Sequence, residues 1–164
     1  MSRLRSLHAV LLFALLVLSA CALPPHARNV DGLTATQWSG RLALRVDSDQ
    51  MQSFFAGFEL KGTASAGELS LYSPLGGTIA QLVWSPGDAR LRWEGKERSF
   101  DSLDALTRQA TGTELPVASM FSWLAGDNVT AAGWQADLRE LPNGRLVARR
   151  SAPLPAVEMR LVLE

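Results

Sequence analysis

The sequence predicts a mainly β domain in which one antiparallel sheet carries a helical cover. Apolar residues occupy every second position through most of the chain from Trp38 onward, which is the period of a half-buried strand. Between residues 101 and 125 the apolar period changes to that of a helix, and afterwards the alternation returns. Short turns separate the alternating segments, and such turns join antiparallel strands.

The first twenty residues have the pattern of an export signal. Two arginines precede the apolar run at residues 9–18, and the small residues Ser19 and Ala20 follow it. The run is shorter than the roughly 20 residues that a transmembrane helix needs. We therefore predict a signal peptide at residues 1–20, in preference to a membrane-spanning anchor.

Cys21 directly follows this signal and is the only cysteine in the chain. The Leu-Ser-Ala-Cys sequence that ends at Cys21 resembles a bacterial lipobox, in which the cysteine becomes acylated. An ordinary signal peptide with an incidental cysteine is the alternative. Residues 21–37 contain prolines and a glycine without sustained periodicity, so we predict a lipidated tether there and a folded domain at 38–164. Position 22 is alanine, whereas an aspartate there would resemble the inner-membrane retention signal of enteric bacteria, so we expect the outer membrane.

Alternating apolar side chains predict each strand of the sheet and the face that it buries. Before the helices, strands are predicted at 41–46, 54–61, 68–72, 80–84 and 91–93. After them, strands are predicted at 134–139, 146–148 and 157–163. The turn signals between strands are rich in glycine, proline and asparagine, as at 85–88 and 142–144.

Two helices are predicted near 101–111 and 116–125, each followed by a glycine. Asp101 and Asp104 have the spacing of a capping pair for the first helix. Pro116 suits the first turn of the second helix, where a missing N–H donor costs nothing. The second helix has one apolar stripe, which consists of Val117, Met120, Phe121 and Leu124.

Composition excludes several functional classes. The chain of 164 residues has 16 basic and 16 acidic side chains, and this balance argues against a nucleic-acid-binding domain. Its two histidines, His8 and His26, both precede the predicted domain, so a histidine-based triad or zinc site is not expected. Asp101 and Asp104 could be offered as paired catalytic carboxylates, but their place at a helix start favours capping. We predict no enzyme activity, no metal and no cofactor.

The apolar face of the sheet could form a solid core or line a space for an apolar ligand. Inward aromatic residues usually pack a core, whereas five tryptophans in a domain without catalytic groups favour a cavity. The candidate lining residues are Leu42, Leu44, Phe54, Phe58, Leu71, Leu82, Trp84, Trp93, Met120, Phe121 and Trp134.

The segment 73–78, Ser-Pro-Leu-Gly-Gly-Thr, is a predicted surface turn between two strands. Pro74 and Gly76 favour the turn, which would hold the apolar side chain of Leu75 in water. A single exposed leucine is common on protein surfaces, so Leu75 alone does not require a functional explanation.

The chain resembles the LolB family over residues 38–164. The resemblance rests on the lipobox, the alternating sheet, the 73–78 segment, Leu-Thr-Arg-Gln-Ala-Thr-Gly-Thr-Glu-Leu-Pro at 106–116 and Ser-Trp-Leu-Ala-Gly at 122–126, in this order. It implies an incomplete antiparallel β-barrel of the LolA/LolB type, with helices over an apolar cavity. It also implies a membrane-insertion loop formed by Pro74, Leu75 and Gly76.

The function implied by this resemblance is lipoprotein transport at the outer membrane. A monomer anchored on the periplasmic side would accept acylated client lipoproteins from the carrier LolA and insert them among outer-membrane phospholipids, without nucleotide hydrolysis. A structural or assembly-factor lipoprotein with a solid core is the alternative. Candidate contacts with the carrier are Arg90, Arg92, Arg145, Arg149 and Arg150, although solvated strand faces explain these arginines equally well.

Overall fold

The computed structural model describes residues 29–30, 33–34, 36–48 and 51–164. The predicted signal peptide and Cys21 lie outside these residues, as does most of the predicted tether. Within the tether, β1 (Asn29–Val30) and β2 (Leu33–Thr34) pair as a short antiparallel hairpin. In the described part of the chain, no helix is long and apolar enough to cross a membrane.

Nine strands form one antiparallel sheet in the order β8-β7-β6-β5-β4-β3-β11-β10-β9. Its strands are β3 (Thr36–Asp47), β4 (Gln52–Gly62), β5 (Gly67–Tyr72), β6 (Thr78–Ser85), β7 (Asp88–Trp93), β8 (Lys96–Phe100), β9 (Trp134–Asp137), β10 (Arg145–Arg150) and β11 (Ala156–Leu163). The outermost strands β8 and β9 do not pair with each other, so the sheet is not closed. This open, barrel-like sheet with two helices confirms the predicted fold class.

The predicted alternation sets the inner face of the sheet. Leu42 and Leu44 of β3 are buried, and so is Phe58 of β4. On each strand, the residues next to these positions point towards the outer face of the sheet. Leu42 lies opposite Ala56, which is buried as well. Because side chains alternate between the faces of a sheet, this register puts the apolar positions of neighbouring strands side by side.

Strand β8 is not predicted by the alternation. Its residues, Lys-Glu-Arg-Ser-Phe, are mostly exposed, and the strand pairs only with β7 at one edge of the sheet. Arg92 of β7 donates through Nε to Glu97 of β8 at 2.5 Å. Only Phe100, at the end of β8, packs against the core, so the strand has no apolar period, and charged residues suit such an edge.

The two helices are α1 (Leu103–Thr111) and α2 (Val117–Leu124). Ser102 caps α1, and its side chain accepts a hydrogen bond from the Ala105 amide at 3.2 Å. The predicted Asp101–Asp104 capping pair is therefore wrong, because Ser102 lies one residue closer to the first turn. The predicted end is confirmed, since Gly112 adopts a left-handed conformation with φ of 78°.

Asp137, the last residue of β9, has a carboxylate that an arginine of the following loop stabilises. Arg139 donates to both oxygens of Asp137, through Nε at 2.9 Å and Nη2 at 2.6 Å. Hydrogen bonds from the side chain and backbone of Arg139 lower the pKa of Asp137 to about 2. The charged form of Asp137 is thus favoured more in the folded than in the unfolded protein.

We expect this pair to stabilise the fold above pH 4 and to lose its contribution as the pH falls towards 2. The sign follows because a lowered carboxyl pKa means that the unfolded chain takes up the proton first. An NMR titration of the Asp137 carboxyl should show the lowered midpoint, and Arg139→Gln should raise it towards the ordinary value. Lys96→Gln, on a distant strand, should leave the midpoint unchanged. An ordinary midpoint in the parent protein would contradict the assignment.

Candidate functional site

The predicted lining residues converge on one apolar cluster on the inner face of the sheet. Phe54 and Trp93 are half-buried at its margin. The others are buried within it: Leu42, Leu44, Phe58, Leu71, Leu82, Trp84, Met120, Phe121 and Trp134. The alternation thus identifies correctly which side chains face inward.

Helix α2 packs into this cluster. The Phe121 ring lies between two tryptophan rings, with centroids 5.7 Å from Trp38 and 6.2 Å from Trp84, and meets both edge-on. Met120 and Trp123 are fully buried. The side chains of α2 therefore occupy inner-face space that the resemblance assigns to a ligand.

Apolar contacts dominate the attachment of α2. The helix, Val-Ala-Ser-Met-Phe-Ser-Trp-Leu, contains no charged residue. Trp123 adds a hydrogen bond from Nε1 to the Val129 carbonyl at 2.7 Å. A helix held mainly by non-directional contacts can exchange them for contacts between the sheet and another apolar group.

Arg150 is buried beside the cover, although the sequence suggested a solvated or carrier-contacting arginine. Its guanidinium lies 5.6 Å from the Trp134 ring centre and donates through Nη2 to Thr113 Oγ1 at 3.3 Å. Desolvation lowers the pKa of Arg150. Burial removes Arg150 from the surfaces that a carrier can touch in this state. The alternation of apolar residues along β10 predicts this position, because Leu146, Ala148 and Arg150 share the inward face of the strand.

The other candidate arginines lie on solvated strand faces. Arg90 pairs with Asp88 at 2.6 Å, Arg92 with Glu97, and Arg149 with Glu158 at 2.7 Å. Arg145 is exposed at the start of β10. Exposed ion pairs of this kind contribute little to stability. These arginines could therefore either contact a carrier or simply cover a solvated strand face.

The turn between β5 and β6 holds Leu75 away from the rest of the protein. The Gly76 amide donates to the Ser73 carbonyl, and the Ser73 amide donates to the Gly77 carbonyl, both at 2.8 Å. Gly77 also donates from its amide to Ser73 Oγ at 3.1 Å. Pro74 fixes the second position of the turn, and Gly76 has a positive φ of 84° that suits glycine. Leu75, at the tip, is 98% exposed.

The comparison with known proteins gives consistent results. The family described as "Outer membrane lipoprotein LolB" matches residues 34–152. Outer-membrane lipoprotein LolB of Bordetella petrii is 30% identical over 172 residues, which cover 90% of this chain and 86% of the relative. The Bordetella pertussis protein of the same name is 36% identical over 129 residues, which cover 76% and 65%.

A third relative matches a shorter segment. Outer-membrane lipoprotein LolB of Chromobacterium violaceum is 33% identical over 88 residues, or 54% of this chain and 47% of the relative. The match to that protein thus spans about half of its length. Because the family match covers most of the chain, and the Bordetella petrii protein aligns over nearly its whole length, the chain belongs to the LolB family and is an outer-membrane lipoprotein.

Proposed function

We propose that the protein accepts acylated lipoproteins from a periplasmic carrier of the LolA type and inserts them into the outer membrane. The supporting observation is an uncharged helix, α2, seated on the apolar inner face of an open sheet. Membership of the LolB family supports the general role in lipoprotein localisation. The acyl chains would take the place of α2 against the sheet, with Leu42, Leu82 and Trp84 among the residues that contact them.

The acyl chains of a client lipoprotein must be shielded from water during transfer, because their exposure has a large free-energy cost. Each exposed methylene costs about 0.8 kcal/mol in water, so the tens of methylenes of an acylated lipoprotein cost tens of kcal/mol. The sequence contains no GxxxxGK[ST] phosphate-binding motif. Transfer would therefore run downhill in affinity, from the carrier to this protein and then to the bilayer.

Displacement of α2 would exchange one set of apolar contacts for another. The acyl chains would cover again the sheet area that α2 uncovers, so the hydrophobic cost would be limited to the apolar side chains of α2 that leave the cluster. The hydrogen bond from Trp123 to Val129 would break or rearrange, at a cost of about 1 kcal/mol.

Leu75 would perturb the bilayer surface during release of the client. Burial of one leucine contributes about 1.5–3 kcal/mol, which is enough to orient the domain but not to anchor it. Three hydrogen bonds with backbone N–H donors close the turn. The turn is therefore already ordered in water, and insertion of Leu75 into the bilayer would carry no further cost for ordering the backbone. Lipid attached to Cys21 would supply the permanent anchor.

We expect Leu75→Glu to reduce delivery into liposomes by about tenfold or more, because a carboxylate forfeits the burial energy of the leucine. The fold should be unaffected, since Leu75 is 98% exposed. The measurement follows a client lipoprotein from a purified carrier–client complex into liposomes, beside a thermal unfolding curve.

Val162→Glu is the matched control. Val162 is also an exposed apolar residue, but it lies on β11 between Arg41 and Arg145, which can accept a carboxylate nearby. Delivery by this variant should equal that of the parent. Undiminished delivery by Leu75→Glu would remove the proposed role of the loop.

The well-packed inner face favours a second candidate function, that of a structural or assembly lipoprotein with a solid core. The two candidates differ in their response to apolar ligands. If the protein transfers lipids, a fluorescent fatty acid or an acylated peptide should bind to the inner face and shield it from water. Under the structural role, neither ligand binds at concentrations below its own aggregation limit.

A further inference from the structure

Four turns, the Leu75 turn among them, leave the sheet at one end. Asp47, at the end of β3, lies opposite Ala156, at the start of β11, and Val46 lies opposite Gln52, at the start of β4. The strands alternate in direction, so the β3–β4, β5–β6, β7–β8 and β10–β11 connections emerge together. We call this end of the sheet the Leu75 end.

Three of these connections carry a large exposed apolar side chain. Leu75 is 98% exposed, Leu154 in the β10–β11 turn is 82% exposed, and Met51 just before β4 is 60% exposed. A fourth apolar residue, Phe55, projects from the outer face of β4 and lines a groove of about 590 Å³ together with Ser73 and Pro74, at the base of the Leu75 turn.

The turns at the opposite end are different. Among the residues that the structure describes, their segments at 63–66, 86–87 and 138–144 carry no large exposed apolar side chain. Apolar residues are common on protein surfaces when scattered, but their concentration on the turns of one end indicates a contact surface.

We propose that Met51, Leu75 and Leu154 form a common contact with the phospholipid bilayer, so that the whole Leu75 end docks on the membrane. This inference rests on the proposed function, which assigns membrane insertion to Leu75, and extends it to two further turns. Tips on separate turns suit a fluid hydrocarbon surface, which admits isolated side chains. A protein partner would instead require a continuous complementary patch.

The position of the proposed anchor permits this docking. Strand β3 starts at the opposite end and spans about 36 Å at 3.3 Å per residue. With the β1–β2 hairpin paired, residues 21–35, which connect Cys21 to β3, can span about 40 Å at most. The lipid can therefore stay in the bilayer while the Leu75 end faces it.

The test uses the acylated full-length protein reconstituted in vesicles of phosphatidylethanolamine and phosphatidylglycerol. Acylation blocks Cys21, so one introduced cysteine is the only free thiol for an environment-sensitive fluorophore. The labelled variants are Met51→Cys, Leu75→Cys and Leu154→Cys, with Ala64→Cys in an exposed turn at the opposite end as the control. We expect blue-shifted emission and loss of quenching by an aqueous quencher at the three tips, and free quenching at position 64.

Protection at position 75 alone would overturn the common contact and leave the proposed function intact. Protection of positions 51 and 154 only after addition of a carrier–client complex would also overturn it, in favour of a protein contact. If all three tips are protected but no client is transferred, the docking surface stands and the proposed function fails. In delivery assays, Leu154→Glu should lower the rate by about tenfold or more, because it too removes the burial of one leucine.

Discussion

Replacement of Cys21 by alanine is expected to release the protein from the outer membrane into the periplasm. Several acyl chains at about 0.8 kcal/mol per buried methylene hold a lipoprotein on the bilayer almost irreversibly. Met51, Leu75 and Leu154 together contribute at most about 9 kcal/mol, which is less than a single myristoyl chain, and such a chain binds membranes only reversibly. Cys21 is the only thiol available for this modification. The partition between membrane and soluble fractions should therefore change from almost complete retention to almost complete release, as measured by fractionation and by mass spectrometry of the N-terminus.

Ala22→Ser is a suitable control, because it changes the adjacent residue and keeps the cysteine. That variant should remain in the membrane fraction with the mass of an acylated chain. If the Cys21→Ala protein stays with the outer membrane, the tether is not lipidated at Cys21 and another element must hold the protein there.

Replacement of Phe121 by alanine is expected to lower the free energy of unfolding by about 3–5 kcal/mol, the usual cost of truncating a buried aromatic ring. The ring packs edge-on against Trp38 and Trp84, so its loss leaves a void between two large side chains. The same change should increase the affinity for an acyl probe by about tenfold or more, because less of the native packing must be displaced before the probe binds. Urea unfolding and titration with a fluorescent fatty acid measure the two effects.

Leu106→Ala provides the comparison. Leu106 is fully buried in α1, so its truncation should cost about 2–5 kcal/mol of stability without opening the position of Phe121. Weaker folding together with tighter probe binding in Phe121→Ala alone would support displacement of α2. Equal probe binding in both variants would contradict it and favour the solid-core alternative.

The strands and their inward faces were predictable from the sequence, because every second residue of a half-buried strand is buried and therefore apolar. Leu42, Leu44 and Phe58 face inward as the alternation requires. Strand β8 was not predictable in this way, because it lies at an edge and pairs only with β7. Its assignment depends on backbone hydrogen bonds to a neighbour, which leave no apolar period in the sequence.

The candidate site was predictable in part. Proline and glycine determine the turn that exposes Leu75, so residue types alone located it. Periodicity shows which side chains face inward, but it does not reveal how far α2 fills the space above them. The charge of Arg150 suggests a solvated position, whereas its place on β10 puts it on the inward face, where it is buried. The shared end of Met51 and Leu154 follows from strand register, which a single sequence does not reveal.

The length of α2 has a consequence for how a lipid would leave. A helix of eight residues is too short to persist in water without support from its neighbours. Once displaced, it would become an unfolded segment that regains order only by returning to the sheet. The protein would then carry a tethered competitor for its proposed acyl ligand, present at high local concentration. Refolding of this segment would help to expel the acyl chains when a bilayer is at hand, so that the receptor regenerates itself without an external source of energy.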